Sequence, residues 1–462
     1  MEIPRTSIHG EWSSRFAFIL AATGSAVGLG NIWRFPYITG ENGGGAFVIV
    51  YLVCVLAIGI PIMMAEIMLG RRGRQSPMNT MASLAHDEGR SKLWKGLGWW
   101  GVLGGFMILS FYSVVAGWTL AYVFRMGSGM FTNATADGVG SIFGQFVSDP
   151  ERLLAWHTIF MVMTIIVVSR GVKSGLEKAV RYLMPMLFIM LIGMVFYAMN
   201  TGYFGNAISY LFEPDFSKLS GDAILTAMGQ AFFSLSLGMG AIMIYGSYLP
   251  KQTSIARTTF IVAGMDTMVA ILSGLAIFPI VFAYGLEPGQ SVGLVFKTLP
   301  IAFGQMPGGL LFGTLFFILL SFAAWTSAIS LLEPAVTWLV ENHGMNRVMA
   351  SAWSGLAAWL LGVVALLSLN IWSDYTLLGK NAFDLMEFTT TNIMLPLGGL
   401  MIAIFAGWKM RHDSSMDELH IQDRLHLGYR LWQFLVRYIA PLSVLFIFLN
   451  VTGVLDWLAN IL

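Results

Sequence analysis

The chain has 462 residues, of which 56% are hydrophobic and only 11% charged, and it carries a net charge of +1. A soluble globular domain has roughly 25% charged residues, so this composition excludes a water-facing surface of ordinary kind and indicates an integral membrane protein. The near-zero net charge gives no attraction to nucleic acid, and the single cysteine, Cys54, lies in an apolar run and excludes an internal disulfide.

The chain opens on a polar stretch, MEIPRTSIHG, with no short apolar core and small-residue cleavage site after it, so no cleavable signal peptide is expected. A membrane helix needs about 20 mainly apolar residues. Eleven segments qualify: 13–38, 43–70, 96–126, 153–170, 178–201, 222–249, 257–285, 308–340, 347–370, 376–409 and 431–460. Several are longer than the bilayer is thick, which implies tilt or a break.

Lys and Arg in the short loops set the orientation. They cluster after span 2 (Arg71, Arg72, Arg74, Arg90, Lys92, Lys95), span 4 (Arg170, Lys173, Lys178, Arg181), span 6 (Lys251, Arg257) and span 10 (Lys409, Arg411). The loop 127–152 instead sets Arg152 against Asp137, Asp149 and Glu151. The amino terminus is therefore expected in the cytoplasm and, with eleven spans, the carboxyl terminus outside, in a multi-pass plasma (inner) membrane protein.

Span 1 carries AVGLG at 26–30 and span 6 carries SLGMG at 236–240, five spans apart. An odd separation means that the second copy runs through the membrane in the opposite direction. Glycine-interrupted spans in matching places of inverted halves point to a transporter binding site. Glycine in mid-helix costs about 1 kcal/mol relative to alanine, so a cluster favours unwinding. Unwound backbone is tolerated at membrane depth only where it lines a cavity or binds something. Freed carbonyls suit a small hard cation, and the half-helix N–H groups suit an anion.

Polar residues in other spans agree. Asp266 sits among apolar neighbours in AGMDTMVAIL, where a charge is expensive and marks a functional site by default. Span 8 carries Thr326 and Ser327. Such hydroxyls commonly bond back to helix carbonyls, but beside a broken span they can complete an oxygen shell. Glu66, Glu333 and Asp384 are further acids within or near the ends of spans. Glu66 and Asp266 could form a catalytic acid pair, but no HExxH, Ser-His or Cys-His arrangement accompanies them, so an enzyme is not expected.

TGSAVGLGNIWRFP at 23–36, ENGGGAF at 41–47 and GQAFFSLSLGMGA at 229–241 together resemble the neurotransmitter:sodium symporter family, whose structural type is the bacterial leucine transporter. The resemblance runs from Trp12 to span 11. It implies an all-α fold with an inverted five-helix repeat, 12–201 and 222–409, broken helices 1 and 6, and an added span at 431–460, within one transmembrane domain. The type structure has one span more, so a dimer contact through that helix is not expected, and the chain is read as a monomer or weak homodimer in the lipid bilayer.

The resemblance also implies two sodium sites and no organic cofactor. The first would use the Ala26 carbonyl, Asn31, Ser234, Asp266 and the carboxylate of the substrate. The second would use the carbonyls of Gly24, Val27 and Ala323 with the hydroxyls of Thr326 and Ser327. All are hard oxygen donors, unlike the thiolate or imidazole that a transition metal prefers. The implied substrate site is built from Ala26, Gly28, Leu29 and Gly30 of span 1 and Phe233, Ser234, Ser236, Gly238 and Met239 of span 6. Ile108 and Tyr112 of span 3 and Thr326 and Leu331 of span 8 complete it. Tyr112 and Phe233 would close it, below an outer gate of Arg34, Asp384 and Gln230. An inner gate would use Ser247, Tyr248 and Glu341, with His9 at the family's arginine position and Arg5 as a substitute one turn earlier.

Members of the family that carry monoamines resemble one another in having aspartate at the position of Gly28. Glycine leaves room for a carboxylate brought by the substrate, which favours an amino acid. The apolar walls favour a neutral, hydrophobic or aromatic one, and Met239, where the leucine transporter has phenylalanine, is adaptable. Chloride-coupled relatives surround Cl− with residues matching Tyr51, Gln230, Ser234, Asp266 and Ala270, the last two being asparagine and serine in them. Here Asp266 is expected to supply the negative charge itself, so that import is chloride-independent. A buried carboxylate also invites protonation once sodium leaves, which would permit proton counter-transport. The alternatives are a substrate-binding membrane sensor on the same scaffold and a sodium symporter of another small carboxylate or osmolyte.

Overall fold

The computed structural model describes residues 5–286, 293–421 and 426–451. Among them the regular structure is helical, apart from the isolated bridges Gly44–Pro214 and Leu377–Lys380. The apolar runs form the helices for the reason that membrane-spanning backbone must satisfy its hydrogen bonds within the segment. Polar caps mark several starts: Ser14 Oγ accepts from Ala17 N at 3.1 Å, and Asn346 Oδ1 accepts from Met349 N at 2.8 Å.

In chain order the helices are α1 (Arg15–Ala26), α2 (Gly30–Glu41), α3 (Gly45–Gly73), α4 (Pro77–Asp87) and α5 (Lys92–Gly127). Next come α6 (Ala136–Val147), α7 (Pro150–Ser169), α8 (Val172–Met199) and α9 (Phe204–Phe212). The second half holds α10 (Gly221–Ser234), α11 (Ala241–Ser247), α12 (Ile255–Ala283), α13 (Leu299–Gln305) and α14 (Gly309–His343). It ends with α15 (Arg347–Leu367), α16 (Ala382–Lys409), α17 (His412–Leu419) and α18 (Leu427–Asn450).

Among the described residues, nine uninterrupted helices are long and apolar enough to cross a membrane, and the α1–α2 pair makes a tenth if it counts as one span. The two halves of that pair meet at 52°. The segment expected at 222–249 is divided into α10 and α11, 14 and 7 residues long, each too short to cross alone. Several helix ends differ by a few residues from the expected bounds. Residues 376–381 are a turn ahead of α16, because Asn381 caps that helix. Of the segment 431–460, residues 452–460 lie outside the described residues. Short helices α4, α6, α9, α13 and α17 fill loops that the apolar count passes over.

Helix α1 packs among α8, α12 and α14, while α5 lies along α14 and α11 along α3. The two interruptions, at 27–29 and 235–240, are thereby buried in the bundle rather than exposed to lipid. Large apolar side chains on outer helices stay exposed, among them Ile189, Phe196, Leu360 and Leu442. That is the reverse of a soluble surface and the expected state of a lipid-facing one.

Candidate substrate and ion site

The site begins with the two helix ends. Helix α1 stops where Val27 turns to ψ 109°, although its N–H still reaches Thr23 O at 2.6 Å. The freed groups then find other partners: Gly28 N donates to Asn31 Oδ1 at 3.1 Å, and Leu29 N donates to Tyr112 Oη at 3.2 Å. In the second interruption, Ser236, Gly238 and Gly240 have φ of 53°, 76° and 77°. Only glycine takes this left-handed region without penalty. Ser236 Oγ donates to Ser25 O at 2.8 Å and Gly238 N donates to Glu66 Oε2 at 3.1 Å. The two breaks are therefore tied to each other and to α3.

Asn31, Ser234 and Asp266 meet behind the first break, each fully buried. Asn31 Nδ2 donates to Asp266 Oδ1 at 2.7 Å and to Ser234 Oγ at 3.0 Å, and Ser234 Oγ donates to Asp266 Oδ2 at 2.6 Å. Tyr51 Oη donates to Ser234 Oγ at 3.3 Å, and Gln230 Nε2 donates to Gly30 O at 2.8 Å. The Asp266 carboxylate makes no ion pair among the described residues. A buried carboxylate is tolerated when it is paired or holds a cation, so the donor set fits a small hard cation.

A second oxygen cluster lies between α1 and α14. Ser327 Oγ is 3.2 Å from Ser25 O, 3.3 Å from both Val27 O and Ala323 O, and 3.5 Å from Gly24 O. Thr326 Oγ1 lies 3.0 Å from Ala323 O and 3.2 Å from Phe322 O. The five groups expected for a second cation are thus together, and Ser25 O joins them. Among the described residues no three His, Cys, Asp or Glu side chains converge as a metal site of the other kind.

Beside the second cluster is a narrow cavity. It is lined by Ala26, Gly28 and Gly30 of the first break, Ile108 and Tyr112 of α5, Phe233, Ser236 and Met239 around the second break, and Leu331 of α14, together with Ser25 and Ser327. A Cβ on Gly28 would stand 2.5 Å from Ser327 Oγ and 2.9 Å from Tyr112 Oη, so any side chain there would enter this space. Four of the expected substrate residues lie elsewhere. Leu29 faces the next cavity outward because the chain turns at 27–29. Gly238 is bound to Glu66, Ser234 to Asp266, and the Thr326 hydroxyl to its own helix carbonyls.

That outer cavity, of about 390 Å³, shares Gly30, Tyr112 and Phe233 with the first, so the two rings form the partition. Arg34 stacks over Phe233 at 5.0 Å and donates to Gln230 Oε1 at 3.4 Å. The expected Arg34–Asp384 pair is not formed. Asp384 is exposed in the first turn of α16, and the acid that lines the cavity with Arg34 is Glu387, one turn on. Both acids share a helix face at i, i+3, so spacing alone does not separate them.

On the opposite side of the bundle His9 Nε2 lies 3.1 Å from Glu341 Oε1, with both side chains buried. Glu341 also accepts from Ser76 N, Ser76 Oγ and Asn79 Nδ2, the last at 2.9 Å. Those partners, at the start of α4, carry no motif in the sequence. Arg5 does not substitute for His9: it pairs with Asp87 at 2.8 Å, because the Glu341 oxygens are already occupied. Ser247 Oγ bonds its own helix at Ile244 O, and Tyr248 Oη donates to Glu333 Oε1 at 2.7 Å, whose other oxygen pairs with Arg347. Trp12 N and Nε1 bind the Tyr248 and Tyr245 carbonyls, fastening the chain start to α11.

Comparison with known proteins places this geometry. The chain is 36% identical over 448 residues to YhdH, an uncharacterized sodium-dependent transporter of Bacillus subtilis, covering 97% of this chain and 98% of that one. It is 35% identical over 446 residues to an uncharacterized sodium-dependent transporter of Haemophilus influenzae, covering 95% and 97%. Its fold matches the crystal structure of MhsT in complex with L-phenylalanine, with TM-score 0.88, 43% identity and coverage of 95% of this chain and 99% of that one. The profile of the Sodium:neurotransmitter symporter family matches residues 9–134 and 145–456. With sodium-dependent transporters as its relatives over nearly the whole length, this chain is a member of the sodium:neurotransmitter symporter family.

Proposed function

We propose that the protein imports a neutral, hydrophobic or aromatic amino acid together with Na+, by alternating access and without chloride. The observation that carries this reading is the fully buried Asp266–Asn31–Ser234 cluster, a carboxylate without an ion-pair partner among the described residues, close to a cavity where Gly28 brings no side chain and Ser327 Oγ and Tyr112 Oη stand 2.5 and 2.9 Å from the place of a Cβ. A cation at Asp266 balances the buried charge and attracts the carboxylate of the substrate. The backbone at 27–30 and Tyr112 Oη hold that carboxylate. Ile108, Phe233, Met239 and Leu331 offer only apolar contact to the side chain, and the MhsT structure was solved with L-phenylalanine.

The oxygen cluster at Ser327 is the second sodium site in this reading. Asp266 is joined through Ser234 to Tyr51, Gln230 is bound to Gly30 O, and Ala270, one turn on from Asp266, is buried and has no hydroxyl. The carboxylate supplies there the negative charge that a chloride ion would otherwise bring. Arg34, Gln230, Glu387 and Phe233 close the outer side, and the His9–Glu341 latch the inner. The loops rich in Lys and Arg lie in the cytoplasm, the amino terminus with them, in the inner (plasma) membrane. The α1–α2 and α10–α11 pairs each count as one interrupted span, giving eleven spans in two inverted repeats, 12–201 and 222–409.

Equilibrium binding of labelled amino acids to the purified protein, with Na+ or with K+ in its place, tests this. Phenylalanine, leucine or tryptophan should bind only with Na+ and without regard to Cl−. Binding of taurine or another osmolyte in preference, or binding that ignores Na+, would overturn it.

A further inference from the structure

Away from the transport pathway, helices α4, α5, α14 and α15 enclose an apolar groove of about 680 Å³ that opens at the bundle surface. Trp99, Trp338 and Trp353 contribute from three of these helices, and Met78 from α4 forms one wall. Trp99 and Trp338 pack edge to face at 4.8 Å. Two lining residues carry hydrogen-bond groups that find no partner among the described residues: Trp338 Nε1 and the Oγ of Ser354, a residue only 5% exposed. An unsatisfied buried donor is costly, so an apolar occupant with an acceptor suits this groove better than hydrocarbon alone.

The mouth of the groove is basic. Lys95 is one turn before Trp99 on the same face of α5, and Lys92 precedes it. Both are exposed and form no ion pair among the described residues. The acids at the end of α4 and just beyond it are occupied, Asp87 by Arg5 and Glu88 by Arg411. Free lysines at a membrane boundary attract anionic headgroups.

We propose that this groove is a binding site for one anionic glycerophospholipid of the cytoplasmic leaflet. An acyl chain fills the tryptophan-lined floor, an ester carbonyl accepts from Trp338 or Ser354, and the phosphate meets Lys92 and Lys95. The assignment to that leaflet rests on the orientation proposed above. Occupancy also bears on the latch, since Met78 sits between Ser76 and Asn79, which hold Glu341, and Leu339 is two residues from Glu341. A lipid chain in the groove holds α4 against α14 and so favours the closed inner side.

Native mass spectrometry of the full chain in detergent tests this with phosphatidylglycerol and phosphatidylcholine of matched chains. One phosphatidylglycerol should be retained in preference to phosphatidylcholine. Ala357→Trp, which fills the groove, should weaken that binding at least tenfold, and Lys92→Gln with Lys95→Gln should abolish the preference. Hydrogen exchange at residues 76–80 should slow several-fold on adding phosphatidylglycerol to the native protein. Equal retention of both lipids by the native protein, or an unchanged preference in the double lysine variant, would overturn the site. Should Ala357→Trp not fold, the lysine variant decides alone, and unchanged exchange at 76–80 would remove the coupling to the latch. Lipid retention is read without transport, so its failure and a failure of symport are separate results.

Discussion

Three residues carry the chemistry, and each makes a separate demand. Asp266 is a buried carboxylate that accepts from Asn31 and Ser234 and has no ion-pair partner among the described residues. Its account as a built-in counter-charge predicts that Asp266→Asn weakens Na+ binding at least ~10-fold, about 1.4 kcal/mol, and makes substrate binding sensitive to Cl−. Titrating Na+ in chloride and gluconate media reads both effects. Gly28 is defined by what surrounds it, since Ser327 Oγ and Tyr112 Oη lie within 2.9 Å of the place that a Cβ would take. Gly28→Asp should therefore abolish amino acid binding by roughly 100-fold or more, near 2.8 kcal/mol, since its carboxylate takes the place of the substrate's. Glu387, not Asp384, faces Arg34 across the outer cavity. Glu387→Gln should accordingly speed substrate release measurably, and Asp384→Asn should leave it unchanged, as followed by dissociation of labelled substrate.

At the level of elements, the interruptions make the site and the glycines in them are not equivalent. A Cβ at Gly238 would meet Leu395 O at 2.6 Å on top of a positive φ, whereas at Gly240 the nearest atom is Pro77 Cγ at 3.3 Å. Gly240→Ala should cost about 1–2 kcal/mol, the left-handed penalty alone, and Gly238→Ala distinctly more, an ordering that thermal unfolding in detergent can check. The glycine runs at 26–30 and 236–240 were legible because glycine clusters are rare in apolar helices, and Asp266 was legible because a charge there is costly. Most of the cavity wall was expected only from the family resemblance, and the turn that divides it was not legible. Leu29 and Gly30 are neighbours, but the turn at 27–29 sends one to the outer cavity and leaves the other in both. Likewise one helical turn separates Asp384 from Glu387, and only the course of α16 decides between them. Helix α4 was invisible to an apolar count because it is only 11 residues long and mixes polar with apolar residues, so Ser76 and Asn79 escaped notice as partners of Glu341.

For the whole molecule, a small number of polar contacts around Glu341 hold the side that the proposed orientation makes cytoplasmic, while one oxygen cluster joins α2 to α10 and α12 and the other joins the end of α1 to α14. Glu341→Gln removes the charge that faces His9 and the donors of Ser76 and Asn79. It should shift the population toward an inward-open state, seen as faster labelling of a cysteine placed at Ser247 when Na+ is absent. In the proposed mechanism, with two coupled sodium ions, the driving force is sufficient for concentrative import. Each charge moved across ~100 mV gives about 2.3 kcal/mol, so two sodium ions give about 4.6 kcal/mol, enough for roughly a thousandfold accumulation at about 1.4 kcal/mol per tenfold. The most direct measurement is uptake of labelled phenylalanine, leucine and tryptophan into proteoliposomes, driven by an inward Na+ gradient in chloride-free medium. Accumulation above equilibrium that collapses when the Na+ gradient is dissipated is the predicted result. Tight Na+-dependent binding without accumulation, or accumulation that appears only when chloride is restored, would contradict it.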